Sequence, residues 1–196
     1  MNREIYATDG EYTLCPIAEE DKEIYCELCK QVSENPQWYF DHISKKSLWS
    51  TVLYMSDKNY SIFDRDGDYC GNVSLQRPES AEPEIGVDLL EEKRNKGIAA
   101  RAIKMLAQKA CEENGYESFT IRALEKNTHS RHMIEKLGAV LVKKENPYRR
   151  MIDKLKKSAE EDELEAVKTH LMETADDLEK CTEIAYVYRY MPDMFA

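Results

Sequence analysis

Arg94-Asn95-Lys96-Gly97-Ile98-Ala99 is the stretch that decides how this chain folds. Upstream of it, Glu84-Ile85-Gly86-Val87-Asp88-Leu89-Leu90 reads as a strand. Downstream, Ile98, Ala102, Met105, Leu106 and Ala110 recur at helical spacing. A strand, a glycine-containing turn and a helix N-terminus together make an anion cradle. The first-turn N–H groups have no partners inside the helix, and the helix dipole adds positive potential there. Gly97 lets the backbone come close to a bound group, and Arg94 and Lys96 add charge. A group bearing a diphosphate suits such a cradle.

About thirty residues further on comes Asn127-Thr128-His129-Ser130-Arg131-His132-Met133-Ile134-Glu135-Lys136-Leu137-Gly138-Ala139, an Asn and a small residue opening a helix that closes on Glu-Lys-Leu-Gly. Between the two motifs Phe119-Thr120-Ile121-Arg122-Ala123 reads as a strand. This arrangement resembles the GNAT superfamily of acyl-CoA-dependent N-acetyltransferases. Its signature is Arg or Gln, two residues, Gly, one residue, then Gly or Ala, met here by Arg94, Gly97 and Ala99. The motif-bearing resemblance covers residues 82–142, and a weaker topological one runs from about residue 11 to the C-terminus. Glu84-Ile85-Gly86 and the Asn127–Ser130 pattern are most similar to the ribosomal-protein N-terminal acetyltransferase branch, which also holds polyamine and antibiotic acetyltransferases.

The resemblance implies an α/β (α+β) fold: a mixed, mostly antiparallel central sheet flanked by helices. It implies a single domain over residues 1–196 with a helical insertion at about 145–180, before the last strand. It also implies acetyl-CoA as acyl donor and direct attack by a primary amine (a peptide N-terminus, a polyamine or another small amine) in a ternary complex. Carried over residue by residue, the main chains of Val87, Asp88 and Leu89 hold the pantetheine arm and polarise the thioester oxygen. Arg94, Asn95, Lys96, Gly97, Ile98 and Ala99 take the pyrophosphate.

An amine must lose a proton before or during attack, and Glu84 matches the family's Glu that serves as base, directly or through a water. An edge carboxylate in an acidic protein is the plainer reading of the same residue. Asn127 matches the Asn that binds the pantetheine arm; helix N-capping suits it equally. Many relatives carry a Tyr seven residues after that Asn to protonate the leaving thiolate. Ile134 stands there, so Ser130 is the candidate acid and a further cofactor contact. A domain that binds acetyl-CoA as a sensor or interaction module without turnover is the alternative.

The formal net charge of −10 argues against nucleic acid, whose phosphates it would repel, and is compatible with a cationic acceptor. The start Met1-Asn2-Arg3-Glu4 is followed by no apolar segment and no run approaches bilayer length, which predicts a cytoplasmic protein without a membrane partner. Cys26 and Cys29 form a CxxC, but Cys15, Cys70, Cys111 and Cys181 are scattered, so no second pair completes a zinc site. The thiols read as small apolar residues, and no metal is expected.

Glu11 to Ile17 predicts a first strand, followed by a helix to about Val32 and a second from Gln37 to about Met55 carrying Trp38, Tyr39 and Phe40. The Trp38–Phe40 cluster is either core or a wall of the acceptor site. Tyr60–Phe63 and Tyr69–Leu75 predict a hairpin across the acidic loop Asp64–Asp68, which lacks the spacing of a calcium loop and reads as a plain turn. The helix carrying His129 and His132 offers no third ligand. After a strand at Val140–Val142, a basic segment (Lys143–Lys157) and an acidic one (Glu160–Glu179) precede the strand Ile184–Tyr190, with a capping box expected at Ser158-Ala159-Glu160-Glu161. Each helix has an apolar stripe and must pack on something: the domain, the acceptor site as a lid, or a second copy in a homodimer.

Overall fold

Alternation of apolar and polar residues along successive strands gives the sheet two unlike faces. The computed structural model describes residues 3–33, 45–54, 58–161 and 164–192. They fall into two compact units, one of the described residues up to 120 together with 190–192, the other of those within 121–189.

In the first unit β1 (Ala7–Thr8), β2 (Tyr12–Pro16), β3 (Asn59–Asp64), β4 (Tyr69–Gln76) and β5 (Glu84–Leu89) pair antiparallel in sequence order. The register Leu14↔Ile62, Tyr60↔Val73↔Val87 and Leu75↔Ile85 puts the aliphatic residues on one face. Ser61↔Asn72↔Asp88, Ser74↔Gly86 and Gln76↔Glu84 make the other face polar. The strand β6 (Phe119–Leu124) starts beside β5, in parallel, with Glu84 opposite Thr120.

The long helix α3 (Ile98–Asn114) covers the apolar face, burying Ile98, Ala102, Ile103, Leu106, Ala107 and Ala110 almost completely. Tyr6 stacks on Tyr60 and donates to Glu113 of α3, and Arg101 lies over the Tyr12 ring, which fixes the helix to that side. The helix ends at Gly115, whose left-handed backbone (φ 71°) turns its N–H back to the Cys111 carbonyl at 2.8 Å. On the polar side lies α1 (Lys22–Val32), which touches β4, β5 and α2 (Lys45–Tyr54). Ile17, Trp49 and Val52 form a second core there with Tyr25 and Leu48 packed against them.

The second unit holds the rest of β6, α4 (Thr128–Lys136), β7 (Val140–Glu145), α5 (Arg149–Glu161), α6 (Glu165–Glu179) and β8 (Ala185–Tyr190) up to Arg189. The strand order is β6-β8-β7, with β7 antiparallel to β8 from Val140↔Arg189 to Glu145↔Ala185. The strand β7 runs past Val142 to Glu145, so Lys143 and Lys144 belong to it rather than to the following helix. The insertion is two helices, as its apolar stripes imply, but Ser158–Glu161 are the last turn of α5 and not a capping box. The buried positions of α5 are Ile152 and Ala159, so the helix still has a residue to bury within the Ser158–Glu161 stretch.

The fold class is therefore mixed α/β, mostly antiparallel, with helices flanking the strands and a helical insertion between β7 and β8. The strand pattern at Tyr12–Pro16 is extended by the two-residue β1, too short to register in sequence. Trp38, Tyr39 and Phe40 lie outside the described residues.

Candidate active site

The cradle is built where β5 runs out. Leu90–Lys93 make a single tight turn, in which the N–H groups of Lys93 and Arg94 return to Leu90 and Glu91 at 3.0 and 3.2 Å. The chain then takes a left-handed conformation twice, at Asn95 (φ 62°) and Gly97 (φ 77°). Such alternation points successive N–H groups inward to one concavity. The first helical bond runs from the Arg101 N–H to the Gly97 carbonyl at 3.2 Å, so the N–H groups of Ile98, Ala99 and Ala100 have no partner within the helix. A Cβ on Gly97 would meet nothing within 4 Å, so the glycine is required by its dihedral and not by crowding. Ile98 is 1% exposed and pins the cradle to the core, whereas Arg94, Asn95, Lys96 and Gly97 face solvent. Arg94 folds back, with Nε donating to the Leu89 carbonyl at 3.1 Å. These features fit a diphosphate: open inward N–H groups, a helix N-terminus, and an exposed Lys96 side chain.

Glu84 opens β5 on the polar face and is buried, 8% exposed. Arg77 reaches it from the end of β4, with Nη2 3.5 Å from Glu84 Oε2 and 3.4 Å from Thr120 Oγ1. Arg77 thus ties together the ends of three strands at the point where β5 and β6 pair. Its backbone is left-handed (φ 55°) although it precedes Pro78, a position where the neighbouring ring favours extended backbone. Strain of this kind persists only where surrounding contacts hold it. Arg77 has no local sequence signal, because its partners lie in two other strands.

The same face carries Ser74, Gln76, Asn72 and Asp88. A Cβ on Gly86 would come within 2.9 Å of the Gln76 amide, which accounts for the glycine in Glu84-Ile85-Gly86. Deeper in, Asp21 accepts from Ser61 Oγ at 2.7 Å, Arg3 Nη1 at 2.8 Å and the Ala18 N–H at 3.0 Å. The Tyr69 hydroxyl is buried and makes no hydrogen bond among the described residues. Burial raises its phenol well above the usual value, and the charges of Asp21 and Asp88 add to that.

In the second unit Asn127 caps α4, its Oδ1 accepting the Ser130 N–H at 3.1 Å. The capping role is therefore real, and it leaves the Asn127 amide nitrogen as a donor. Ser130 is half-buried, while His129 and His132 are exposed. Ile134 is 1% exposed. A Tyr there would have to displace core, so the absence of that phenol is built into the packing of α4. The site residues of sequence origin thus divide: Glu84, Val87, Asp88, Leu89 and Arg94–Ala99 form one continuous strand–turn–helix in the first unit, and Asn127 and Ser130 form a cap in the second. Among the described residues no cluster of three or more His, Cys, Asp or Glu side chains forms a metal site, and Cys26 and Cys29, both on α1, are in no disulfide.

The profile of the GNAT acetyltransferase domain matches residues 12–140. The chain belongs to the GNAT acetyltransferase family. The match takes in Glu84, the cradle and the Asn127 cap, and stops at the first residue of β7, ahead of the α5–α6 insertion. No curated protein sequence matches the chain. Among solved structures, RimL, a ribosomal-protein alpha-N-acetyltransferase in complex with coenzyme A, superposes with a TM-score of 0.66 at 15% identity, covering 98% of this chain and 100% of that one. A GNAT acetyltransferase from Bacillus anthracis gives 0.64 at 15% identity, covering 95% and 97%. The Vibrio cholerae spermidine N-acetyltransferase, in complex with CoA and spermine, gives 0.59 at 15% identity, covering 69% and 84%. At such identities these likenesses establish the GNAT fold. Among the described residues no helix is long and apolar enough to cross a membrane.

Proposed function

We propose that this GNAT protein moves an acetyl group from acetyl-CoA to a primary amine by direct attack, and that residues 1–196 work as one acetyltransferase domain carrying a helical insertion. The observation that carries the reading is the single strand–turn–helix in which buried Glu84 stands at one end of β5 and the two-fold left-handed cradle at the other. Acetyl-CoA, when bound, supplies a thioester carbonyl activated for attack by nitrogen.

The chain's own groups do the rest. Arg94–Ala99 hold the diphosphate, and the main chain of Val87–Leu89 takes the pantetheine arm and donates toward the carbonyl oxygen. Glu84 accepts the amine proton, directly or through a water, while Arg77 holds the carboxylate in place. The Asn127 amide nitrogen, free of the capping bond, contacts the pantetheine arm. Ser130 is the hydroxyl offered to the leaving sulfur. Holding both reactants converts a bimolecular step into an effectively unimolecular one.

Acidic groups on the polar face, Glu84 and Asp88 among them, favour a cationic acceptor, and the net charge of −10 disfavours nucleic acid. A peptide N-terminus or a polyamine meets that description, and the reaction belongs in the cytoplasm. The buried Ile134, in place of the usual acid, favours a second reading: an acetyl-CoA sensor without turnover. Thiol release from acetyl-CoA against polyamines, amino sugars and basic peptides separates the two. Turnover with one amine class supports the enzyme. CoA binding with no turnover on any acceptor supports the sensor, and no CoA binding removes both.

A further inference from the structure

The acidic loop between β3 and β4 reads from sequence as a plain turn, yet it is fastened to the cradle. Asp64 Oδ1 accepts the backbone N–H groups of Asp66 at 3.2 Å and Asp68 at 2.9 Å, which shapes the turn. Oδ2 takes the Lys93 ammonium at 2.8 Å and the Cys70 thiol at 3.8 Å. Lys93 also lies 3.7 Å from Asp68 Oδ2, and is itself only 17% exposed. This lysine is the residue immediately before Arg94.

Two backbone contacts run alongside. The Leu90 N–H donates to the Cys70 carbonyl at 3.1 Å, and Gly71 lies so close to β5 that a Cβ would stand 2.1 Å from the Asp88 carbonyl oxygen. The hairpin end is therefore stitched to the whole lead-in of the cradle, from Asp88 to Lys93. Of the two lysines beside the cradle, Lys96 is exposed and Lys93 is engaged by a carboxylate.

We infer that Asp64 and Lys93 are a positioning pair for donor binding: the ion pair sets where the Arg94–Ala99 cradle sits, and Lys93 lends no charge to the diphosphate. The inference rests on the acetyl-CoA reading above. It makes a prediction opposite in sign to simple electrostatics. If Lys93 were a direct phosphate ligand, removing the competing Asp64 carboxylate would tighten anion binding. If the pair positions the cradle, the same change loosens it.

The test is calorimetric titration of CoA, and separately of dephospho-CoA, into the full chain, its Asp64→Asn, Lys93→Met and doubly substituted forms. Asn at position 64 keeps an Oδ1 acceptor for the turn. The pair as inferred gives roughly tenfold weaker binding in each single variant, the same factor for both ligands, and a double variant no weaker than either single one. Tighter or unchanged binding in Asp64→Asn overturns it. So do additive losses, a loss confined to CoA (which marks a contact to the 3′-phosphate), or a fall in unfolding midpoint large enough to account for the weaker binding. Failure of the unaltered protein to bind CoA is a separate result, and removes the donor reading together with this one.

Discussion

The β5–cradle–α3 segment and the α5–α6 insertion are both helix-rich and charged, yet they are built in opposite ways. In α3 eight of seventeen residues are buried, and the cradle at its N-terminus is fixed by Ile98 in the core, by Lys93 on Asp64 and by Arg94 on the Leu89 carbonyl. In α5 and α6, 13 and 15 residues long, only Ile152, Ala159 and Ala175 are buried. Their ion pairs, Lys156–Glu179, Arg149–Asp153, Lys157–Glu161 and Lys168–Glu165, lie at the surface. Surface pairs of this kind contribute little. Core contacts are concentrated at the helix that carries the cradle and are few in the insertion.

The comparison breaks if mutations do not follow it. Leu106→Ala, on α3 at 0% exposure, removes core and is expected to cost about 2–5 kcal/mol in urea unfolding. Arg77→Gln, measured by steady-state kinetics, should lower kcat about tenfold with KM for acetyl-CoA unchanged; in an E84Q background it should have no further effect, because Arg77 acts through Glu84. Gly97→Ala forces a side chain into φ 77°, at about 1 kcal/mol, and should appear as several-fold weaker CoA binding in a calorimetric titration. Lys156→Met in the insertion should leave both the unfolding midpoint and CoA binding unchanged.

A thiol-labelling series sharpens the same contrast. Cys70 is fully buried and its thiol is pushed up to about 11, chiefly by burial. Cys29 and Cys181 are half-buried. Iodoacetamide at pH 8, followed by mass spectrometry, is expected to modify Cys29 and Cys181 well before Cys70. Early labelling of Cys70 would mean that the hairpin end opens readily, contrary to its stitching to the cradle. Acid titration tests the same place. The Lys93 ammonium holds the Asp64 carboxyl below its ordinary 3.8, so its contribution to stability is present above that pH and is lost as pH falls through the lower, folded value. Urea unfolding of Asp64→Asn should show less loss across that window than the unaltered chain.

Most of the fold was legible where periodicity was strong. The strand before Arg94, the helix after it and the Asn127 helix were all readable, because each has several apolar positions at one spacing. Boundaries failed where charge misled: Lys143 and Lys144 look like the start of a basic helix but sit on an edge strand whose exposed positions suit lysine. The Ser158 capping pattern failed because α5 still had Ala159 to bury. In the candidate site, Glu84 and the cradle stand out from local motif. Arg77 and the Asp64–Lys93 pair were not, since each joins residues that only strand pairing brings near. Asn127 suits two roles by its sequence position, and the structure displays the capping one.

The central claim is that β5 separates two jobs, acceptor chemistry at Glu84 and donor binding at the cradle. Thiol release with the amine that serves best as acceptor, run beside a CoA titration on Glu84→Gln, tests it directly. Turnover reduced by at least about 100-fold, with CoA affinity within twofold of the unaltered protein, is the predicted result. Turnover that survives in Glu84→Gln, or CoA binding lost along with it, would contradict the account.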